Sequence, residues 1–162
     1  MYLKYPIFFI FFFLSSMSFA QSLAYKALLN GVYEKDFPVV KIGENEILGS
    51  AIFLDAREKE EYEVSHLKGA KWVGHKTFSL DSLTEIPKDQ PVVVYCSIGA
   101  RSQEIGKKLQ EAGFTEVYNL YGGVFHWVNE GQPIYNKSKK TDSIHAYSHS
   151  WGIWLNKGKK VY

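Results

Sequence analysis

Cysteine is almost absent from this chain, since Cys96 is the only one among 162 residues. A single cysteine excludes an internal disulfide, so the fold cannot depend on disulfide bonds within the chain. The thiol is therefore buried, reactive or paired with another molecule, and these alternatives are open at this point.

The chain also has little net charge, with 19 Lys and Arg residues against 17 Asp and Glu residues. This balance argues against a nucleic-acid partner. No phosphate-binding glycine fingerprint, Ser-His-Asp order or cofactor motif occurs. His145 and His149 have the spacing of two ligands on one helix face, but they lack a third ligand, so a surface pair is preferred. We expect neither a metal nor an organic cofactor.

The longest apolar run lies at the N-terminus, where Lys4 is followed by residues 7–14 and then by Ser18-Phe19-Ala20. This arrangement predicts a secretory signal peptide over residues 1–20. A membrane anchor is the alternative, but the run is much shorter than the ~20 apolar residues that span a bilayer. We therefore expect an exported protein without a membrane span after cleavage. The periplasm is the preferred compartment, and the extracellular space is the alternative.

Short apolar runs alternate with helix-period segments through the middle of the chain. The predicted strands cover residues 39–42, 51–54, 70–73, 92–95 and 117–120. The predicted helices cover residues 22–29, 59–64, 80–86, 102–112 and 124–129, the first ending at Asn30-Gly31. This alternation predicts an α/β fold with a small, mostly parallel sheet flanked by helices on both faces. Binding sites in such sheets lie at the carboxyl ends of strands, so Asp55 and Cys96 should share one edge.

The chain is expected to contain one folded domain. We assign residues 1–20 to the signal peptide, 21–49 to an N-terminal helix and lead-in, 50–135 to the core, and 136–162 to a C-terminal extension. The extension holds six lysines and one acidic residue, together with several aromatic residues. We expect its rings to pack on the domain, its lysines to form a solvated face, and Asn156-Lys157-Gly158 to turn a hairpin. A membrane-surface or anion-attracting role for the lysines is less favoured.

Cys96 lies where the apolar run 92–95 gives way to Ser97-Ile98-Gly99-Ala100-Arg101-Ser102 and a predicted helix. The N–H groups of such a turn, the helix N-terminus and Arg101 direct positive charge at its centre. These surroundings favour the nucleophilic thiolate at neutral pH. We therefore expect an ionised sulfur that is open to solvent.

Three blocks of residues follow one another between residues 50 and 135. The first block contains Leu54-Asp55-Ala56-Arg57, Glu61-Tyr62 and His66-Leu67-Lys68-Gly69-Ala70. The second block runs from Val93 to Ser102. The third block contains Gly113-Phe114, Val117 to Leu120, Gly122-Gly123 and Trp127. In this order they resemble the rhodanese family of single-domain sulfurtransferases. The resemblance implies the fold class predicted above.

The resemblance also implies that Cys96 accepts a sulfane sulfur from a small anionic donor, becomes a persulfide, and passes the sulfur to a thiol or cyanide-like acceptor. Arg101 is implied as a second catalytic residue that orients the anion. The implied substrate-binding residues belong to the cysteine loop and to the Asp-x-Arg motif: Ser97, Ile98, Gly99, Ala100, Ser102, Asp55 and Arg57. His66 is implied as a structural residue that ties a loop to the backbone. Thiosulfate, polysulfide and mercaptopyruvate remain open as donors, and the oligomeric state is open.

Two positions depart from the family pattern. Ser65 stands where members usually have glycine before the histidine, which puts the local geometry in question. Ser97 stands where members specialised for thiosulfate tend to have a basic residue, which puts that donor in question.

Three other functions are alternatives to sulfur transfer. A phosphatase or arsenate reductase is disfavoured, because phosphatases with a similar cradle place arginine six positions after the thiol, and Arg101 is five positions after Cys96. A non-catalytic sulfur-binding, anion-binding or docking module is the main alternative, but it has no chemical need for the Cys96 and Arg101 pair. A thiol redox role would need an external thiol, because no resolving cysteine exists.

Overall fold

The computed structural model describes residues 23–162, of which residues 23–32 belong to one compact unit and residues 33–162 to another. In the first unit, residues 23–32 form one helix, α1. The predicted helix over 22–29 is confirmed where it is described, but it continues through Asn30-Gly31, which were expected to end it. The predicted signal peptide, residues 1–20, lies outside the described residues.

The second unit is built on a five-stranded sheet with the order β1-β5-β4-β2-β3, in which every neighbouring pair is parallel. The strands are β1 (Val39–Val40), β2 (Ile52–Asp55), β3 (Lys71–Trp72), β4 (Val92–Tyr95) and β5 (Val117–Leu120). All five predicted strands are confirmed, three of them with shifted or shorter bounds. The α/β fold with a parallel sheet is confirmed as well.

Helices and short turns connect these strands. They are α2 (Asn45–Ser50), α3 (Lys59–Val64), a 3-10 helix (Leu80–Leu83), α4 (Ala100–Glu111) and α5 (Gly123–Asn129). The prediction did not include α2, and it placed a longer helix where the 3-10 helix occurs. Helix α4 begins two residues earlier than predicted, because Gly99 adopts a left-handed φ of +116° and starts the helix. Arg101 and Ser102 therefore belong to the first turn of α4.

Both faces of the sheet are covered by helices. On one face, Leu54 and Val94 pack with Ile105 and Leu109 of α4 in the main hydrophobic core, and all four are fully buried. Burial of a side chain of this size contributes about 1.5–3 kcal/mol. On the other face, where alternate strand residues point, Phe53 meets Trp127 of α5 at a ring-centroid distance of 6.4 Å.

The register of the sheet brings the predicted edge residues together. Asp55 of β2 is paired with Tyr95 of β4, so Asp55 and Cys96 lie at the carboxyl ends of neighbouring strands. The expectation that they share one edge is confirmed.

The extension contains two small sheets. The strands β6 (Ile134–Asn136) and β7 (Lys139–Thr141) form an antiparallel hairpin, and β8 (Ser143–His145) pairs in parallel with β9 (Lys159–Val161). The hairpin predicted at residues 156–158 is wrong, because the chain crosses over through α6 (His149–Gly152) and returns parallel to β8. A parallel pair requires such a crossover.

The aromatic residues of the extension divide into two groups, since Trp151 and Trp154 are half-buried whereas Tyr147 and Tyr162 are exposed. Its six lysines are all exposed, as expected for a solvated face. Over residues 23–162, no helix is both long enough and apolar enough to cross a bilayer.

Candidate functional site

Cys96 directly follows β4, and its sulfur accepts a hydrogen bond from the Gly99 N–H at 3.1 Å. The Ser102 Oγ lies 3.5 Å from Sγ, but its single proton is donated to Asn119 Oδ1 at 2.8 Å. Gly99 and Ser102 belong to the start of α4, whose N-terminus carries partial positive charge. The left-handed φ of Gly99 turns its N–H back toward the cysteine. This geometry favours negative charge on Sγ.

The expectation of a sulfur open to solvent is wrong, because Cys96 is only 1 % exposed. Ser97 and Ile98 of the same loop are buried as well, whereas Ala100, the first residue of α4, is exposed. The loop curls tightly enough for the Gly99 N–H to reach Sγ, so the sulfur lies inside the loop.

Arg101 was expected to face an anionic substrate, but its terminal nitrogens bind a carboxylate. Nη1 donates to Glu61 Oε2 at 2.6 Å, and Nη2 donates to Glu61 Oε1 at 3.0 Å. Nη2 also donates to Ser97 Oγ at 3.0 Å, and that hydroxyl donates to Glu61 Oε1 at 3.1 Å. The charge of Arg101 is therefore balanced within the protein. Its orienting role toward a substrate stays a prediction.

Glu61 is the acidic centre of this network, and sequence reasoning assigned it no role. Only 3 % of its side chain is exposed. Burial alone would raise the pKa of the Glu61 carboxyl, but the hydrogen bonds and charge of Arg101 outweigh burial, so the pKa lies below its usual range. Glu61 also forms a capping box with Glu58 at the start of α3. The capping-box pattern has Ser, Thr, Asp or Asn at the N-cap, so Glu58 gave no sequence signal for it.

Asn119 of β5 is a second residue that sequence reasoning missed. It is fully buried, donates to the Gly99 carbonyl at 2.8 Å, and accepts the Ser102 hydroxyl at 2.8 Å. It therefore connects Gly99, whose N–H donates to Sγ, with Ser102, whose hydroxyl oxygen lies 3.5 Å from Sγ. An asparagine in the apolar run 117–120 was the available signal, because buried polar groups occur where they are hydrogen-bonded.

The Asp-x-Arg motif forms a fully buried ion pair. Arg57 Nη2 lies 2.6 Å from Asp55 Oδ2, and both side chains are 0 % exposed. The same nitrogen donates to the Ser65 carbonyl at 2.6 Å, which ties the end of β2 to the end of α3. Contact of Asp55 or Arg57 with a substrate stays a prediction.

His66 has the structural role that was expected. Its backbone exchanges hydrogen bonds with Tyr135, and its Nδ1 lies 3.1 Å from the Tyr62 carbonyl. Ser65 has a φ of −170°, an extended conformation that any residue adopts. Serine in the place of the family's usual glycine therefore causes no backbone strain.

Tyr33 links the cysteine loop to the neighbouring loop. Its hydroxyl donates to the Ile98 carbonyl at 2.7 Å and accepts the Gly122 N–H at 2.6 Å. A Cβ added at Gly99 would lie 2.3 Å from the Tyr33 ring, so the ring packs directly on the loop. Burial raises the pKa of Tyr33 and outweighs the hydrogen bond from the Gly122 N–H, which lowers it.

Replacing Tyr33 by Phe should lower the free energy of unfolding by about 1–3 kcal/mol, because it removes both hydrogen bonds of the hydroxyl. Urea denaturation measures this loss. Tyr118→Phe is the matched control, since the Tyr118 hydroxyl makes no hydrogen bond within the described part of the chain. Equal losses in the two variants would contradict a linking role for Tyr33.

The C-terminal extension reaches this network through Tyr147. The guanidinium of Arg101 lies 5.1 Å from the centroid of the Tyr147 ring. Tyr147 has a φ of +63°, and the Ser148 N–H donates to the Ala146 carbonyl at 2.7 Å. This hydrogen bond between residues two apart defines a γ-turn, and the form with positive φ is rare and strained.

The strain at Tyr147 and the energy of its contact with Arg101 are of similar size. A bulky residue in such a conformation costs about 1–3 kcal/mol. A cation–π contact contributes about 0.5–1 kcal/mol at an exposed site and about 2 kcal/mol when desolvated, and the Arg101 side chain is only 17 % exposed. The conformation persists because its flanks are fixed: Ile144 and Ala146 are fully buried, and the Tyr147 N–H donates to His145 Nδ1 at 3.0 Å.

The histidines of the extension have separate contacts. His145 accepts the Tyr147 N–H, and the ring of His149 stacks on Tyr162 at 3.9 Å. Among residues 23–162, no group of three or more His, Cys, Asp or Glu side chains is arranged to hold a metal ion.

Comparison with known proteins identifies the same domain. Residues 41–130, more than half of the chain, match the family model of the rhodanese-like domain. The chain is 36 % identical over 76 residues to a thiosulfate sulfurtransferase of Coxiella burnetii, covering 47 % of this chain and 70 % of that protein. It is also 28 % identical over 123 residues to a tRNA uridine(34) hydroxylase of Erwinia tasmaniensis, covering 63 % of this chain and 35 % of that one.

The chain spans 21 % to 49 % of the length of three other curated relatives. Among solved structures, a rhodanese-related protein of Thermoplasma volcanium has a TM-score of 0.54 and 20 % identity. The match covers 62 % of this chain and 99 % of that one. At this identity the match shows the fold alone.

Proposed function

This chain belongs to the rhodanese-like family, and we propose that it is a sulfurtransferase that carries sulfane sulfur as a persulfide on Cys96. In the first step, the Cys96 thiolate attacks the sulfane sulfur of the donor. A sulfur–sulfur bond forms while the bond to the rest of the donor breaks, and the electron pair leaves with the donor. In the second step, an acceptor nucleophile attacks the outer sulfur, and the Cys96 thiolate leaves.

One observation carries the proposal, namely the placement of Sγ at the N-terminus of α4 with the Gly99 N–H as its hydrogen-bond donor. This donor and the helix N-terminus stabilise negative charge on Sγ before attack and again when Cys96 is the leaving group. A small buried hydrophobic cysteine has no need of such an arrangement.

The residues around the loop hold its shape. Asn119 is hydrogen-bonded to both Gly99 and Ser102. Tyr33 donates a hydrogen bond to the Ile98 carbonyl, and the ion pair of Glu61 and Arg101 holds the Ser97 hydroxyl. The proposed substrates are a small sulfur donor in the first step and a thiol or cyanide-like acceptor in the second. Export is part of the proposal and rests on the residue pattern of positions 4–20.

The test is intact-mass spectrometry after separate incubation with polysulfide, thiosulfate and mercaptopyruvate. The expected result is the mass of one added sulfur with at least one donor, and its removal by cyanide or by a thiol. The Cys96→Ser variant should show neither, because it lacks the nucleophile.

Two results would contradict the proposal. A mass that never changes with any of the three donors would exclude sulfur uptake. Uptake without release to cyanide or to a thiol would identify a sulfur-binding module instead of a transferase.

A further inference from the structure

We propose that Tyr147 is a specificity-determining residue, whose ring contacts the organic part of a thiol acceptor and favours it over an inorganic anion. The inference rests on the proposed function, because acceptor choice matters only if Cys96 exchanges sulfur. The step concerned is attack of the acceptor thiolate on the outer sulfur of the Cys96 persulfide. It forms a new sulfur–sulfur bond and releases the Cys96 thiolate.

The position of the ring is the first support. Tyr147 packs on Arg101, which donates to the hydroxyl of Ser97, the residue next to Cys96. The ring is therefore placed beside the cysteine loop.

The exposure and conformation of Tyr147 are the second support. The side chain is 50 % exposed, so much of its ring surface is available to a ligand. Its backbone is held in a strained γ-turn. Strained residues held in place by their surroundings are concentrated at functional sites.

The charge of the neighbouring network is the third support. Glu61 balances Arg101, and within the described residues both terminal nitrogens of Arg101 already have acceptors. Arg101 therefore offers no uncompensated positive charge to a small inorganic anion, whereas the Tyr147 ring offers an aromatic surface to an apolar organic group.

The extension supplies this contact from outside the matched domain. Tyr147 lies beyond residues 41–130, which match the family model. Strand β8 packs against α3, the helix that carries Glu61, and positions the turn at Tyr147.

The experiment loads Cys96 with polysulfide and measures second-order rate constants for sulfur release to benzyl mercaptan and to cyanide. The variant is Tyr147→Gly, which removes the ring and cannot add strain, because glycine accepts positive φ. Its ratio of the thiol rate to the cyanide rate should fall about fivefold, the effect of losing one aromatic contact.

Tyr147→Phe keeps the ring and should keep the wild-type ratio. Tyr162→Ala removes an exposed ring that stacks on His149 and should keep the ratio as well.

The possible failures are distinguishable. An unchanged ratio in Tyr147→Gly overturns this inference and leaves the proposed function intact. Equal losses with both acceptors also overturn it, because they indicate a purely structural role. A wild-type protein that takes up no sulfur overturns the proposed function, and this inference with it.

Discussion

Replacing Gly123 by Ala is expected to lower the free energy of unfolding by about 4 kcal/mol, from backbone strain and overpacking together. An added Cβ would lie 2.3 Å from the Cys96 carbonyl oxygen and 2.7 Å from that of Ser97. Both contacts are with backbone atoms, which cannot rotate away as a side chain can. The φ of Gly123 is +55°, a conformation that also opposes alanine.

The loss should extend to the site, because α5 holds the cysteine loop in place. The N–H groups of Val124 and Phe125 donate to the carbonyls of Cys96 and Ser97, at 2.9 Å and 3.1 Å. A Cβ at Gly123 would push the start of α5 away from these two carbonyls. Sulfur uptake by Cys96 should therefore fall together with stability.

Gly113→Ala is the matched control for this prediction. Gly113 also has a positive φ, +91°, but an added Cβ would meet no heavy atom within 4 Å. Alanine there should cost only the conformational strain, about 1–2 kcal/mol. Guanidinium denaturation of both variants measures the difference. If the two lose the same free energy, close approach to the cysteine loop is not what requires glycine at position 123.

The sheet and the position of the cysteine could be predicted because they depend on local patterns. The run 92–95 is apolar at every position, and β4 is buried along its whole length. A buried parallel strand has this composition. Because parallel strands place their carboxyl ends together, the prediction also located Asp55 and Cys96 at one edge.

The partners of charged and polar residues could not be predicted in the same way. The charge of Arg101 was visible in the sequence, but its neutralisation depends on Glu61, which is 40 positions away. The sequence pattern of α3 explains why Glu61 lies in the first turn of a helix. It does not indicate which residue binds the Glu61 carboxylate. Asn119 was likewise hidden in a strand-like run, since its partners belong to another element.

The extension shows a competition between local and long-range structure. The turn sequence Asn156-Lys157-Gly158 favoured a hairpin, but β9 found its partner in β8, across α6. Local turn preference is weak compared with burial of Ile144 and Leu155, which are 0 % and 2 % exposed. The positive φ of Tyr147 was also invisible in the sequence, because the position carries neither glycine nor asparagine.

Replacing Glu61 by Gln is expected to lower the free energy of unfolding by about 3 kcal/mol at pH 7, because Arg101 then keeps its charge in a mostly buried place without a counter-ion. Only 17 % of the Arg101 side chain is exposed, so water compensates little. Glutamine retains the length of the side chain and can still accept a hydrogen bond in the capping box. The loss of free energy of unfolding therefore measures the missing charge of Glu61 more than a change in the shape of its side chain.

The pH dependence of this loss identifies its cause. The pKa of Glu61 is lowered in the folded protein: burial opposes this, and the hydrogen bonds and charge of Arg101 prevail. A carboxyl with a lowered folded-state pKa contributes stability that is complete above its unfolded value, about 4.3, and is lost as the pH falls through the folded value. The difference between wild type and Glu61→Gln should thus be constant from pH 7 to about pH 5 and shrink below about pH 4.

The control for this pH series is Glu63→Gln, because Glu63 pairs with Lys59 at 3.9 Å on an exposed surface, with both side chains more than 60 % exposed. Its effect should stay within about 0.5 kcal/mol at neutral pH. Denaturant titrations of the three proteins across this pH range measure both differences. A Glu61→Gln deficit that persists unchanged at acid pH would mean that packing, not the charge balance with Arg101, makes Glu61 necessary. A deficit that disappears in acid would show that the cysteine loop depends on an ionised carboxylate at position 61.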